Sequence, residues 1–101
     1  MNILSDKRMK MLDATLSMYS FMKKIDDEVV IKMSKDLFSS LIAFNCPFVI
    51  YSRDGLQPHQ YKGCILELVS NLDYVAVAYF NKRTGKLHDI REIKEDDNNA
   101  I

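Results

Sequence analysis

Two histidines and two cysteines are the side chains best suited to chemistry, and their spacing limits what they can do. Among Cys46, His59, Cys64 and His88, no pair is separated by the roughly two to four residues that structural zinc sites use. No metal is expected. A Cys–His nucleophile pair needs an activated thiol and an orienting third group. Cys46 precedes Pro47 and Cys64 follows Gly63, neither in a basic context nor at a helix N-terminus that would lower its pKa. The paired carboxylates, Asp26–Asp27 and those of the tail, are accounted for by helix capping and solvation. There is no Gly-rich phosphate loop. The expectation is a protein that is not an enzyme and holds no cofactor, with both histidines as surface side chains.

Two other groups of residues point to binding. Lys82, Arg83 and Lys86 form a basic turn after Tyr79 and Phe80, with Arg91 beyond it. Cations beside aromatic rings can track a nucleic-acid backbone and stack its bases. They are also the ordinary furniture of a solvated hairpin tip. The second group is a methionine-rich stripe. At 100° per residue, Met9, Leu12, Leu16 and Tyr19 form one apolar face of a helix; Met11, Met18, Met22 and Ile25 form a second beside it, with Phe21 at its edge. An apolar arc this wide exceeds what one core requires. Methionine adapts readily to different partners, so Met11, Met18, Phe21, Met22 and Ile25 are the candidate partner-binding residues. The alternative is that the helix is simply core on both sides.

The elements that must position these residues follow from periodicity and punctuation. Residues 7–25 contain no Gly or Pro and favour a first helix, capped by Ser5 or Asp6. Residues 28–44 place Val29, Val30, Met33, Leu37, Leu41 and Phe44 on one helical face, predicting a second helix capped by Asp26 or Asp27. From 48 to 93, apolar runs alternate with turn signals at Asp54–Gly55, Asn71–Asp73 and Lys82–Gly85, the pattern of an antiparallel β-meander. Gly63 falls within the run 61–69 and suggests a bulge. Residues 74–80, apolar throughout, predict the most buried strand. Residues 94–101 are acidic and amide-rich and read as a frayed tail. The expected fold class is α+β in one domain, 1–101: two helices, then a four- to five-stranded antiparallel sheet, SH3- or Sm-like, strongly bent or closed into a small barrel.

The totals bound the function. With 14 basic and 14 acidic residues in 101, the formal net charge is zero, which disfavours a general nucleic-acid binder and favours association. No segment approaches the ~20 apolar residues of a membrane span, and the first residues lack the apolar core of a signal peptide. Two cysteines in apolar surroundings suggest reduced thiols and a cytoplasmic setting.

The order Val49-Ile50-Tyr51-Ser52-Arg53-Asp54-Gly55, then Lys62-Gly63-Cys64-Ile65, Tyr74-Val75-Ala76-Val77 and Leu87-His88-Asp89-Ile90-Arg91-Glu92-Ile93 resembles the YolD-like group of small bacterial and phage proteins. In that group an apolar strand ending in Tyr-x-x-Asp-Gly precedes a Gly-x-Ile strand and a closing Asp-Ile-x-x-Ile segment. The resemblance covers about residues 37–93. It implies an Sm-like barrel, a bacterial or mobile-element setting and an accessory role beside a translesion DNA polymerase, and it carries over no catalytic residues. The leading expectation is a regulator or inhibitor that binds a host protein, or a second copy of itself, through the methionine-rich helix. The runner-up is a nucleic-acid-binding module using Tyr79, Lys82, Arg83, Lys86 and Arg91.

Overall fold

The computed structural model describes residues 4–45, 48–50, 58–70 and 72–94. The elements run α1 (Asp6–Met22), β1 (Asp27–Met33), α2 (Lys35–Asn45), β2 (Val49–Ile50), β3 (His59–Tyr61), β4 (Cys64–Leu68), β5 (Val75–Asn81) and β6 (Leu87–Ile93). The fold is α+β: two helices and one six-stranded mixed sheet, in the order β2-β3-β4-β1-β5-β6. β1 pairs parallel with β4 and antiparallel with β5; every other pairing is antiparallel. The sheet is open, with β2 and β6 as its edges.

α1 begins where Ser5, in extended conformation, accepts the Arg8 N–H at 3.2 Å, satisfying one free donor of the first turn. It ends three residues earlier than periodicity predicts, because Lys23 turns extended. Leu12, Leu16 and Tyr19 enter the core, with Met11 and Met18 packed partly against it.

The helix expected over residues 28–44 does not form as one element. Its first part is β1, the strand at the heart of the sheet. Val29-Val30-Ile31 is a run of three β-branched residues, which crowd a helix and suit a pleated surface. Along β1 the apolar residues Val29, Val30, Ile31 and Met33 run almost without a break, and that run imitated a helical stripe. α2 starts afresh at Ser34, whose hydroxyl accepts the Leu37 N–H at 3.2 Å. It sends Leu37, Phe38 and Leu41 into the same core as α1.

Gly63 is not a bulge inside one strand. Lys62 and Gly63, with φ of 50° and 80°, form a two-residue left-handed turn that splits the run into the β3–β4 hairpin. The paired positive φ values match the twist of adjoining strands. The sheet therefore has more strands than the four or five expected, and one parallel pairing. The Asp54–Gly55 turn, Cys46 and the tail from 95 onward lie outside the described residues. Both helices cover one face of the sheet through a single apolar cluster. The shortest dimension of the molecule, 25 Å, suits two layers.

Candidate functional site

The corner where α1 turns into β1 is organised by Asp27. This carboxylate is 4% exposed. Its Oδ2 accepts the Lys24 backbone N–H at 3.0 Å and the Tyr79 hydroxyl at 2.8 Å. Its Oδ1 faces His88 Nε2 at 2.9 Å and Asn81 Nδ2 at 3.5 Å. The Tyr79 oxygen also lies 3.2 Å from the Met22 carbonyl. One hydroxyl proton cannot serve both acceptors, and the shorter contact to a charged oxygen takes it. An ionised carboxylate only accepts, so His88 carries its proton on Nε2. Burial opposes the charge on Asp27, but the Lys24, Tyr79 and His88 donors outweigh it and hold the pKa near 2.

The rings complete the scaffold. Tyr19 stacks on Tyr79 with centroids 5.1 Å apart, and His88 tilts against the other side of Tyr79 at 4.8 Å. Tyr19 donates to Asp89 at 2.7 Å. Two consecutive residues of β6, His88 and Asp89, thus both reach toward the helix side. The register explains how: Leu87 pairs with Phe80 and Asp89 with Tyr79, leaving His88 as the extra residue of a bulge. Asn81 then fixes the β5–β6 hairpin, its side-chain oxygen accepting from the backbone N–H groups of Arg83 and Thr84.

This scaffold brings together two groups that lie far apart in the sequence. The hairpin is joined to the α1–β1 turn through Lys82 N–H to Asp26 O at 2.8 Å and Arg83 Nε to Asp26 Oδ2 at 3.5 Å. At this corner Phe21 is 91% exposed, Ile25 93% and Met22 49%. Lys23, Lys24, Lys82, Arg83 and Lys86 are exposed there as well. Of the methionine stripe, Met11 and Met18 are absorbed into the core margin, whereas Phe21, Met22 and Ile25 remain outside. Tyr79 is buried, so its ring is closed to a base. Arg91 lies further along β6, opposite Val77, away from the hairpin tip.

His88 lies at the surface as expected and His59 is half-buried, but both have partners that the sequence reading did not foresee. His88 is tied to Asp27, and His59 sits in β3 with its ring 4.9 Å from that of Phe38. The sequence offered Asp27 only as a helix-cap candidate and gave no sign of Asn81; an Asp two residues before the β-branched run Val29–Ile31 was the available clue. An oriented histidine beside a carboxylate is one ingredient of an acid–base site and not a site by itself. The open cavity of about 400 Å³ lined by Ser34, Lys35, Asp36, Leu68, Val69 and Ser70 lies at the opposite end of β1 from this pair. Burial pushes the Cys64 thiol up against the lowering influence of Lys23 and Ser20, which leaves it a poor nucleophile. Among the described residues there is no group of three potential metal ligands, and no helix is long and apolar enough to cross a membrane.

Comparison with protein-family models, with curated proteins and with solved structures finds no match.

Proposed function

We propose that this protein is a non-enzymatic interaction module that docks an acidic, apolar segment of another protein at the α1–β1 corner. The observation that carries this reading is the exposure of Phe21 and Ile25, 91% and 93%, on a corner braced by the buried Asp27 network. Each such side chain leaves roughly 1.5–3 kcal/mol of burial energy unrealised on folding, which a partner can recover. The five cations around them select for negative charge and speed encounter. A small module of this kind regulates by occupancy, inhibiting or redirecting the host protein whose surface it covers.

Phe21→Ser with Ile25→Ser abolishes capture of the partner from bacterial lysate, and Lys82→Glu with Arg83→Glu weakens it. Both double variants keep the thermal stability of the parent to within about 0.5 kcal/mol, because the substituted side chains are exposed. Equal capture by all three proteins removes the corner from consideration.

The exposed Phe21 ring, on the same corner as the hairpin that carries Lys82 and Arg83, also favours single-stranded nucleic acid as a second reading. It requires fluorescence anisotropy with an oligonucleotide to reveal binding whose logarithm falls linearly with the logarithm of salt concentration. No binding at low salt ends it.

A further inference from the structure

Strand register builds a second surface, on the side of the sheet away from both helices. Along β1, Asp27, Val29, Ile31 and Met33 turn toward the helices, so Glu28, Val30 and Lys32 turn the other way. The pairing outward from Val30 leads to Ile65, Gln60 and Ile50 on one side and to Ala78 and Ile90 on the other. One row thus crosses all six strands, and five of its six residues are apolar. Ile50 is 55% exposed and Ile90 51%, at its two ends, whereas Val30 at its centre and Ala76 beside it are buried within the chain. Two residues along the strands in one direction lie Glu67, Lys32, Ala76 and Glu92; in the other lie Glu28, Phe80 and Leu87.

We propose that this face pairs with the same face of a second copy of the chain, about a two-fold axis that runs across the strands along the Val30–Ala78 row. Such an axis returns each residue of the row onto its own counterpart. It exchanges the positions two residues to either side. Lys32 then meets the partner's Glu28, and Ala76 meets the partner's Phe80. Opposite charges face each other on β1, and a large side chain faces a small one on β5. Two-fold interfaces require that kind of self-complementarity. Had positions 28 and 32 carried one sign, the same operation would have set like charges together. Sheets packed face to face lie ~10 Å apart, within reach of paired Lys and Glu side chains. Strands of 2, 3, 5, 7, 7 and 7 residues, at ~3.3 Å per residue and ~4.8 Å spacing, give a face of roughly 490 Å². Two such faces cover about 980 Å², at the ~1,000 Å² lower bound of a specific interface. A chain of zero formal net charge carries no overall repulsion against this.

The test is solution mass by light scattering on the whole chain. The parent protein is expected at about twice 11.7 kDa. Lys32→Glu alone and Glu28→Lys alone each set like charges across the axis and are expected to lose the dimer. Mixed together, they are expected to regain it, because each then offers the other's missing sign. Ile90→Lys, at an exposed edge position that tolerates a charge, meets its own copy on the axis and is expected to be monomeric with unchanged circular dichroism. A monomeric parent, a dimer that survives Ile90→Lys, or single reversals that leave the mass unchanged overturns the proposal. So does a failure of the folded mixture to reassociate.

Discussion

Every described tyrosine donates its hydroxyl to a carboxylate. Tyr19 reaches Asp89, Tyr61 reaches Asp13, Tyr74 reaches Glu92 and Tyr79 reaches Asp27. Three of these bonds join elements about fifty to seventy residues apart, so they act as polar rivets across the core. Each also disfavours tyrosinate. Burial, then the Asp89 hydrogen bond and charge, pushes Tyr19 up to about 12, with Arg91 opposing. Burial and Asp13 raise Tyr61 further; the Asp27 bond leads in raising Tyr79, and the Glu92 bond in raising Tyr74. An acid whose folded pKa is raised contributes stability below its unfolded value near 10 and loses it as pH rises. Asp27 has the opposite sign: held near 2, it contributes stability above about pH 4 and loses it as pH falls toward 2. Thermal denaturation across pH is therefore expected to give a plateau from about 4 to 10, falling on both sides. Absorbance titration of tyrosinate is expected to rise mainly above pH 10. Tyr19→Phe removes one rivet and leaves an exposed Asp89, costing about 1 kcal/mol, or roughly 4–8 °C in Tm. Unfolding by pH 9, or tyrosines that titrate together near 10, defeats this account.

At the scale of elements, the sequence was legible where local chemistry and tertiary context agree. Ser5 caps α1, and the apolar runs within 61–69 and 74–80 are strands, for the reasons given by capping and β propensity, although β3 begins two residues earlier, at His59. It misled where the consecutively buried Val29, Val30 and Ile31 hid the period of two, as in β1. Ser34, a strong N-cap three residues before Leu37, was the overlooked sign that a helix starts there and not at 28. The candidate site was half legible. Phe21, Met22, Ile25, Lys82 and Arg83 stand out by type, but Asp27 and the His88 bulge that unite them arise from strand pairing that no local pattern encodes. The Lys62–Gly63 turn is the element most exposed to a single substitution. A Cβ at Gly63 would meet nothing within 4 Å, so space is not the issue. The backbone is: φ of 80° suits glycine, and Gly63→Ala is expected to cost about 1–2 kcal/mol. Urea denaturation measures it, and an unchanged midpoint would show that the hairpin tolerates a different turn.

At the scale of the molecule, the first described strand, β1, is one of the two central strands of the sheet. β1 is flanked by β4 and β5, whose residues opposite Val30 are Ile65 and Ala78. The sheet cannot close around β1 until distant parts of the chain arrive, a topology that folds slowly for its size. It also grades protection outward. Backbone amides of β1 and β5 are paired or shielded on both sides, whereas β2 and β6 each leave one edge unpaired. Native-state hydrogen exchange is expected to be slowest in β1 and the inner part of β5, and fastest in β2 and the outward amides of β6. That ranking bears on how the chain associates. Two copies joined face to face leave the outward amides of β6 open to solvent at any protein concentration. Two copies joined edge to edge through β6 would bond those amides, and their exchange would slow as concentration rises. Concentration-independent exchange at the outward amides of β6 in a dimeric sample thus supports the sheet face as the contact, and concentration-dependent slowing there moves it to the edge.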